Sequence, residues 1–324
     1  MERKEQLLRH IDLRHGPGVE IGPLDKPIVA VSEASMLYVD HASTEELRAK
    51  YHDDPHVSID EIVPIDVRWA DRRLSESLEG RGPVRWVVAS HVIEHVPDPA
   101  GWLGQIAEVL VPGGILSLAI PDGRFCFDAK RRTTDVSELI AAALSARTRP
   151  TVSSTYDFWA RMTAVDPVEA WEGRRSALEP DHEALALEKC HQAITSSEYQ
   201  DIHCSVFTPQ SFVEAFDVLM RLDIVPWYLV RDLRPTERGQ IEFFVSLERL
   251  PAALEPDERR HLQSASVASA LASVAAADMP GPSAREGSRM RVTELSEKEL
   301  TMVELKRSVL SGARRMSRRL SRRL

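Results

Sequence analysis

From Gly18 to about Leu250, short apolar runs alternate with stretches of helical periodicity, which is how a parallel sheet with crossover helices reads in sequence. GVEIG (18–22), MLYVD (36–40) and EIVPID (61–66) are the first three expected strands. VRWVVAS (84–90) is almost continuously apolar, as a strand buried on both faces of a sheet should be, so it is placed centrally. ILSLAIP (115–121) follows the turn VPGG as the fifth strand. Ser43 with Glu46 three residues later forms a capping box for a short helix ending near Lys50. Asp98 caps a second helix with Pro99 at its first position, and Trp102, Ile106, Val109 and Leu110 give it one apolar face. A third helix, Thr208 to Met220, leads into DIVPWYLV (223–230) and IEFFVSL (241–247). The linker between these two runs, RDLRPTERGQ, is too short for a crossover helix, so the pair is expected to be antiparallel. Pro226 suits an edge position or a bulge.

Seven runs and their connections divide the chain into three parts. Residues 1–250 form the main domain, with an irregular stretch rich in His, Trp and acidic residues at about 145–205 read as an inserted cap. An Ala/Ser-rich linker covers 251–289, and a basic amphipathic tail covers 290–324. In the tail Leu305, Val309, Ala313, Met316, Leu320 and Leu324 recur at helical spacing, and the stripe extends back through Val292, Leu295 and Met302. Such a helix suits a protein partner or self-association. An anionic membrane surface is the rival, weakened by the lack of a Trp or Phe anchor, and a solvated end is the bland alternative.

Charge narrows the partners. The net charge is -9, yet 305–324 carries Lys306, Arg307, Arg314, Arg315, Arg318, Arg319, Arg322 and Arg323 with no acidic residue, so the rest is more acidic than the total suggests. Such a body repels a polyanion, which makes nucleic acid a poor default substrate. Cys126, Cys190 and Cys204 form no CxxC pair, and their odd number argues against a disulfide framework. The first residues are charged throughout, and no stretch of eighteen apolar residues occurs. The expectation is a cytoplasmic protein, with the tail as its means of reaching the inner face of a membrane.

Ligands of open parallel sheets bind at the carboxyl ends of the strands, here occupied by Glu20, Gly22, Asp40, Asp66 and Ser90. At this point the chain resembles the class I S-adenosylmethionine-dependent methyltransferases, over roughly residues 15–250. The first strand of that family ends in an acidic residue and a glycine loop, as in VEIGP here, and VVASHVIEHVPDPAGWLGQIAEVLVPGGILSLAIPD (87–122) is similar to its fourth strand, helix, PGG turn and fifth strand. EIGPLDKPI and YVDHAS are also similar to methyltransferase domains of bacterial surface-polysaccharide assembly, which suggests a sugar hydroxyl as acceptor. The resemblance implies an α/β fold, a Rossmann-like, mostly parallel seven-stranded sheet with an antiparallel final hairpin, an inserted cap and a helical C-terminal tail.

The resemblance further implies S-adenosyl-L-methionine as cofactor. Glu20 and Gly22 would lie beside its methionine end, Asp40 would accept hydrogen bonds from the ribose hydroxyls, Asp66 would meet the adenine amino group, and Ser90 and His91 would border the sulfonium. Residue chemistry agrees, because a carboxylate bonds a vicinal diol bidentately and a helix start receives a carboxylate. Gly22 is followed by Pro23, Leu24, Asp25 and Lys26 without a further glycine, a departure from the family's loop. Pro23 has no N–H to offer a pyrophosphate, which also disfavours a dinucleotide. As a structural alternative, each strand-end acid could serve only as a helix cap.

An oxygen or nitrogen acceptor gains from a base titrating near neutrality, so His91 and His95 are the first catalytic candidates and Asp122 the next. Glu94 and His95 have the alternative role of packing or capping the segment that enters the next helix. His203 and Thr208, in DIHCSVFTPQSF, are a second approach to the pocket, with Thr208 alternatively a helix cap. Cys190-His191 and His203-Cys204 lack the spacing of zinc sites, so no metal is expected. Tyr156, Phe158, Trp159 and Trp171 are read first as the core of the insert and second as the lining of an acceptor pocket. The acceptor is expected to be a small-molecule or glycan hydroxyl. The rival reading is a non-catalytic scaffold that retains the fold, prompted by the loop at Pro23 and the long tail.

Overall fold

The structure is a computed structural model and describes residues 1–70, 72–174, 182–196 and 200–277. Among the described residues seven strands form one sheet: β1 (Gly18–Ile21), β2 (Met36–Asp40), β3 (Val67–Arg68), β4 (Val84–Ser90), β5 (Leu110–Pro121), β6 (Tyr228–Arg234) and β7 (Glu242–Arg249). Their order is β3-β2-β1-β4-β5-β7-β6, parallel from β3 to β5, with β7 antiparallel to both β5 and β6. The expected α/β sheet and its final hairpin are therefore present, and β4 occupies the centre. Pro226 precedes β6, which is the edge strand and carries a register shift between Val230 and Asp232.

Two faces of unequal depth hold the sheet. One is covered by α3 (Leu74–Ser77), α4 (Pro99–Val109), α5 (Val136–Leu144), α9 (Pro209–Arg221) and α10 (Pro256–Ala277), whose buried side chains pack with Val19, Val87, Leu116 and Val245 of the strands. The other is closed by α1 (Arg3–Leu8), which sets Leu7 against Trp86, Val88 and Ala119 beside Ile28 and Val29 of the β1–β2 connection. Burying such aliphatic side chains is worth about 1.5–3 kcal/mol each, which makes this N-terminal strap a structural element. Gly18 permits the packing of β1 on β4, since a Cβ there would sit about 2.0 Å from the Trp86 ring.

The capping residues act as their sequence suggests. Ser43 and Glu46 close a capping box on α2 (Thr44–Lys50), Asp98 accepts from Gly101 N–H at the start of α4, and Thr208 with Ser211 caps α9. Three features differ from the sequence pattern. The run at 61–66 is not a strand: Pro64 interrupts it, and the two-residue β3 begins only at Val67. No helix follows β1; residues 22–35, with Pro23 and Pro27, cross to β2 as turns. The Ala/Ser-rich segment after Leu250 holds the 22-residue α10, which packs on β6 and α9 through Gln263, Val267, Ala270 and Val274. Their spacing of three and four residues is helical, and it is carried mostly by small side chains that leave little hydrophobic signal. The tail at 290–324 lies outside the described residues.

Between β5 and β6 the chain adds α6 (Val152–Arg161), α7 (Pro167–Trp171) and α8 (His182–Thr195). Packing of α6 on α8 gives this insert its own small core, with Phe158 buried against Phe127 and His203, while Tyr156 and Trp171 remain more than a third exposed. Among the described residues no helix is long and apolar enough to cross a membrane.

Candidate functional site

A cavity of about 1040 Å3 opens at the carboxyl ends of β1, β2 and β4. The strand order reverses between β1 and β4, and such a reversal leaves a crevice where neighbouring connections depart to opposite sides. Gly22, Asp40, Ser90, His91 and His95 all line this cavity. Gly22 has φ +69, a left-handed conformation open to glycine, and a Cβ there would lie 3.0 Å from Val92 Cγ2. Asp40 is buried at the end of β2, with His41 Nδ1 2.6 Å from its Oδ1.

Glu20, Asp66 and Asp122 stand outside the cavity lining and bond within the scaffold. Glu20 accepts backbone N–H bonds from Ile28 (2.7 Å) and Val29 (3.0 Å), and so ties down the connection that lacks a helix. Burial pushes its carboxyl up to about 7 despite these bonds. Asp66 accepts from Tyr38 N–H at 2.8 Å and fixes the chain as it enters β3. Asp122, fully buried, accepts from Arg124 and from Thr236 Oγ1 at 2.7 Å.

Aromatic rings supply part of the wall that strand-end reasoning did not find. Trp69, just past β3, stacks near Trp102 of α4, with centroids 6.2 Å apart and planes at 16°. Both line the cavity. The insert contributes residues 146–150, Ala193, Gln200 and Asp201 to the same wall. Asp201 contacts Lys50 Nζ (2.8 Å), Tyr51 Oη (3.2 Å) and His95 Nδ1 (2.9 Å). Burial favours its neutral form, but the contacts with His95 and Lys50 prevail and hold the carboxyl well below the usual range.

In the cavity wall, His91 takes a left-handed backbone (φ +55), and its ring reaches the first residue of β7. Its Nε2 lies 2.7 Å from Glu242 Oε2, and Arg3 of α1 donates to both oxygens of the same carboxylate. Burial opposes ionisation of Glu242, yet His91 and Arg3 lower its carboxyl to about 2. Arg3 also donates to Ser90 Oγ. A strand-end hydroxyl, an imidazole and a carboxylate are thus joined by the N-terminal helix.

A crevice at the sheet's reversal, lined by a buried acid closing β2 and an imidazole after β4, suits a small ligand. The model of the methyltransferase domain matches residues 15–218, more than half of the chain. The chain belongs to the methyltransferase domain family. No curated protein matches it. Among solved structures, an S-adenosylmethionine-dependent methyltransferase from Mesorhizobium loti is 13% identical, over 76% of this chain and 98% of that one, with a TM-score of 0.37. The CcbJ methyltransferase of Streptomyces caelestis is 13% identical over 76% and 94%, with a TM-score of 0.38. A protein described as a zinc-dependent alcohol dehydrogenase from Rhodobacter sphaeroides is 11% identical over 76% and 89%, with a TM-score of 0.41. Likenesses this distant speak neither for nor against an activity. Within the methyltransferase family match lie all five cavity-lining candidates, together with β1 to β5 and most of α9.

Proposed function

We propose that this methyltransferase uses S-adenosylmethionine to methylate a hydroxyl of a small molecule or glycan. The observation that carries the reading is Asp40, a buried carboxylate facing a cavity of cofactor size at the switch point of the sheet. Asp40 would accept from the two ribose hydroxyls, a charge-assisted geometry that a carboxylate fills well. Trp69 and Trp102 offer flat apolar surface for an adenine, and Gly22 lets the backbone approach the ligand closely. The cofactor, when bound, supplies an electrophilic methyl group.

What this chain adds is position and proton transfer. Lys50, Tyr51 and Asp201 knit the insert to α2, so an acceptor held between insert and sheet is oriented and partly shielded from water. His91 and His95 are the two catalytic candidates that reach the cavity, and in this reading His91, held by Glu242, takes the hydroxyl proton. The acidic body favours a neutral or cationic acceptor over nucleic acid. In the same reading the 290–324 tail serves assembly with a partner or a second copy, at a cytoplasmic location.

The reading is tested by incubating the full chain with methyl-labelled S-adenosylmethionine and a panel of sugars and phenols. Label entering one acceptor, with an equal yield of S-adenosylhomocysteine, is expected. The absence of both cofactor binding and transfer to any acceptor would favour the scaffold reading.

A further inference from the structure

Glu94 is 1% exposed, and neither of its carboxylate oxygens has a hydrogen-bond partner among the described residues. It lies on the 3-10 turn Ile93–His95 that follows β4. An ionised carboxylate left so deep and unbonded costs several kcal/mol unless something else compensates it. Around its Oε1 stand three imidazole nitrogens, His91 Nδ1 at 3.9 Å, His95 Nε2 at 4.0 Å and His203 Nε2 at 4.0 Å.

The opposite nitrogen of each ring faces a carboxylate of its own. His203 Nδ1 lies 2.6 Å from Asp128 Oδ2, His95 Nδ1 is 2.9 Å from Asp201 Oδ1, and His91 Nε2 is 2.7 Å from Glu242 Oε2. Those outer carboxylates are themselves anchored by cations: Arg131 on Asp128, Lys50 on Asp201 and Arg3 on Glu242. The hydrogen bonds at His203 and His91 fix tautomer and ring orientation and leave the far nitrogen as an electron-pair donor, while Asp201 meets His95 as a charge contact. The rings of His95 and His203 meet edge to face, 4.6 Å apart.

We infer that Glu94, His95 and His203 form a site for a divalent first-row transition metal ion, with His91 at its margin. One donor atom from each of the three lies within 4.8 Å of the others. Bonds of about 2.0–2.2 Å need each donor to move inward by under about 1 Å, within the reach of side-chain rotation. Two imidazoles and one carboxylate suit Zn2+, Fe2+ or Co2+ better than Mg2+ or Ca2+, which take oxygen ligands. Three protein ligands leave positions open, and His95 and His91 border the proposed acceptor cavity. If the methyl-transfer reading holds, an acceptor oxygen can occupy an open position; metal uptake itself needs no methyl transfer, so either idea can fail alone.

The test is calorimetric titration of the tag-free, chelator-treated full chain with Zn2+, and with Co2+ read by visible absorption. One saturable Zn2+ is expected, with Co2+ bands typical of four or five nitrogen and oxygen ligands. Glu94→Gln should weaken uptake by at least 10-fold, and Asp128→Asn or Asp201→Asn, which leave all three proposed ligands in place, by about 10-fold or more. Circular dichroism and thermal melts select the variants that fold, and the two outer variants keep the test decisive if Glu94→Gln does not. No saturable uptake by the unaltered chain would mean that protons on the imidazoles compensate Glu94, and would overturn the inference. So would uptake that the folded variants leave unchanged.

Discussion

The imidazole of His91 and the carboxylate of Glu242 meet at 2.7 Å across the junction between the parallel and antiparallel parts of the sheet. The contact joins the residue after β4 to the first residue of β7, and left-handed backbone at His91 makes it possible. Strain of this kind persists where surrounding structure fixes it, as the Arg3 clamp on Glu242 does here. His91→Asn keeps a residue that tolerates positive φ but cannot take up a proton. It is expected to lower kcat by about 100-fold or more while S-adenosylhomocysteine affinity stays within a few-fold. Steady-state kinetics beside ligand titration check this, and an unchanged kcat would remove His91 from the proton path.

Glu20 links stability to pH. Its folded pKa of about 7 lies above the ordinary 4.5, so the folded chain holds a proton that the unfolded chain has released. The stabilisation is complete below about pH 4.5 and is lost as pH rises through about 7. The difference amounts to about 3 kcal/mol. Urea unfolding from pH 5 to 8 should show the unaltered chain losing stability relative to Glu20→Gln as pH rises. Parallel curves for the two proteins would contradict it.

The thiols should be inert in the folded state. Burial pushes Cys204 up to about 12 and raises Cys126 and Cys190 as well, so little reactive thiolate forms near neutrality. Native protein at pH 7.5 is expected to react with an aromatic disulfide reagent far more slowly than denatured protein, which should titrate all three cysteines. A prompt native reaction of one equivalent would show that one thiol is open to solvent.

What the sequence made legible was local. The caps at Ser43, Asp98 and Thr208 work within three residues, and the apolar run at 84–90 announces a central strand, so both are legible in the sequence itself. Asp40 and Ser90 line the cavity because residues that close neighbouring parallel strands gather at one edge of the sheet. Glu20 and Asp66 look equivalent to Asp40 in sequence, yet their carboxylates face backbone donors at Ile28, Val29 and Tyr38. Such pairings depend on how a turn folds back and leave no periodic trace. The grouping of Glu94 with His203, or of His203 with Asp128 75 residues earlier, is a tertiary matter in the same way. Trp69 sits just beyond the third strand, which Pro64 delays past the apolar run at 61–66.

The most direct measurement is a calorimetric titration of the full chain with S-adenosylhomocysteine, alongside Asp40→Ala. Saturable one-to-one binding is expected, weakened at least 10-fold in the variant, with the thermal melt of the variant within a few degrees of the original. No saturable heat, or binding that Asp40→Ala leaves untouched, would contradict a cofactor held at the end of β2.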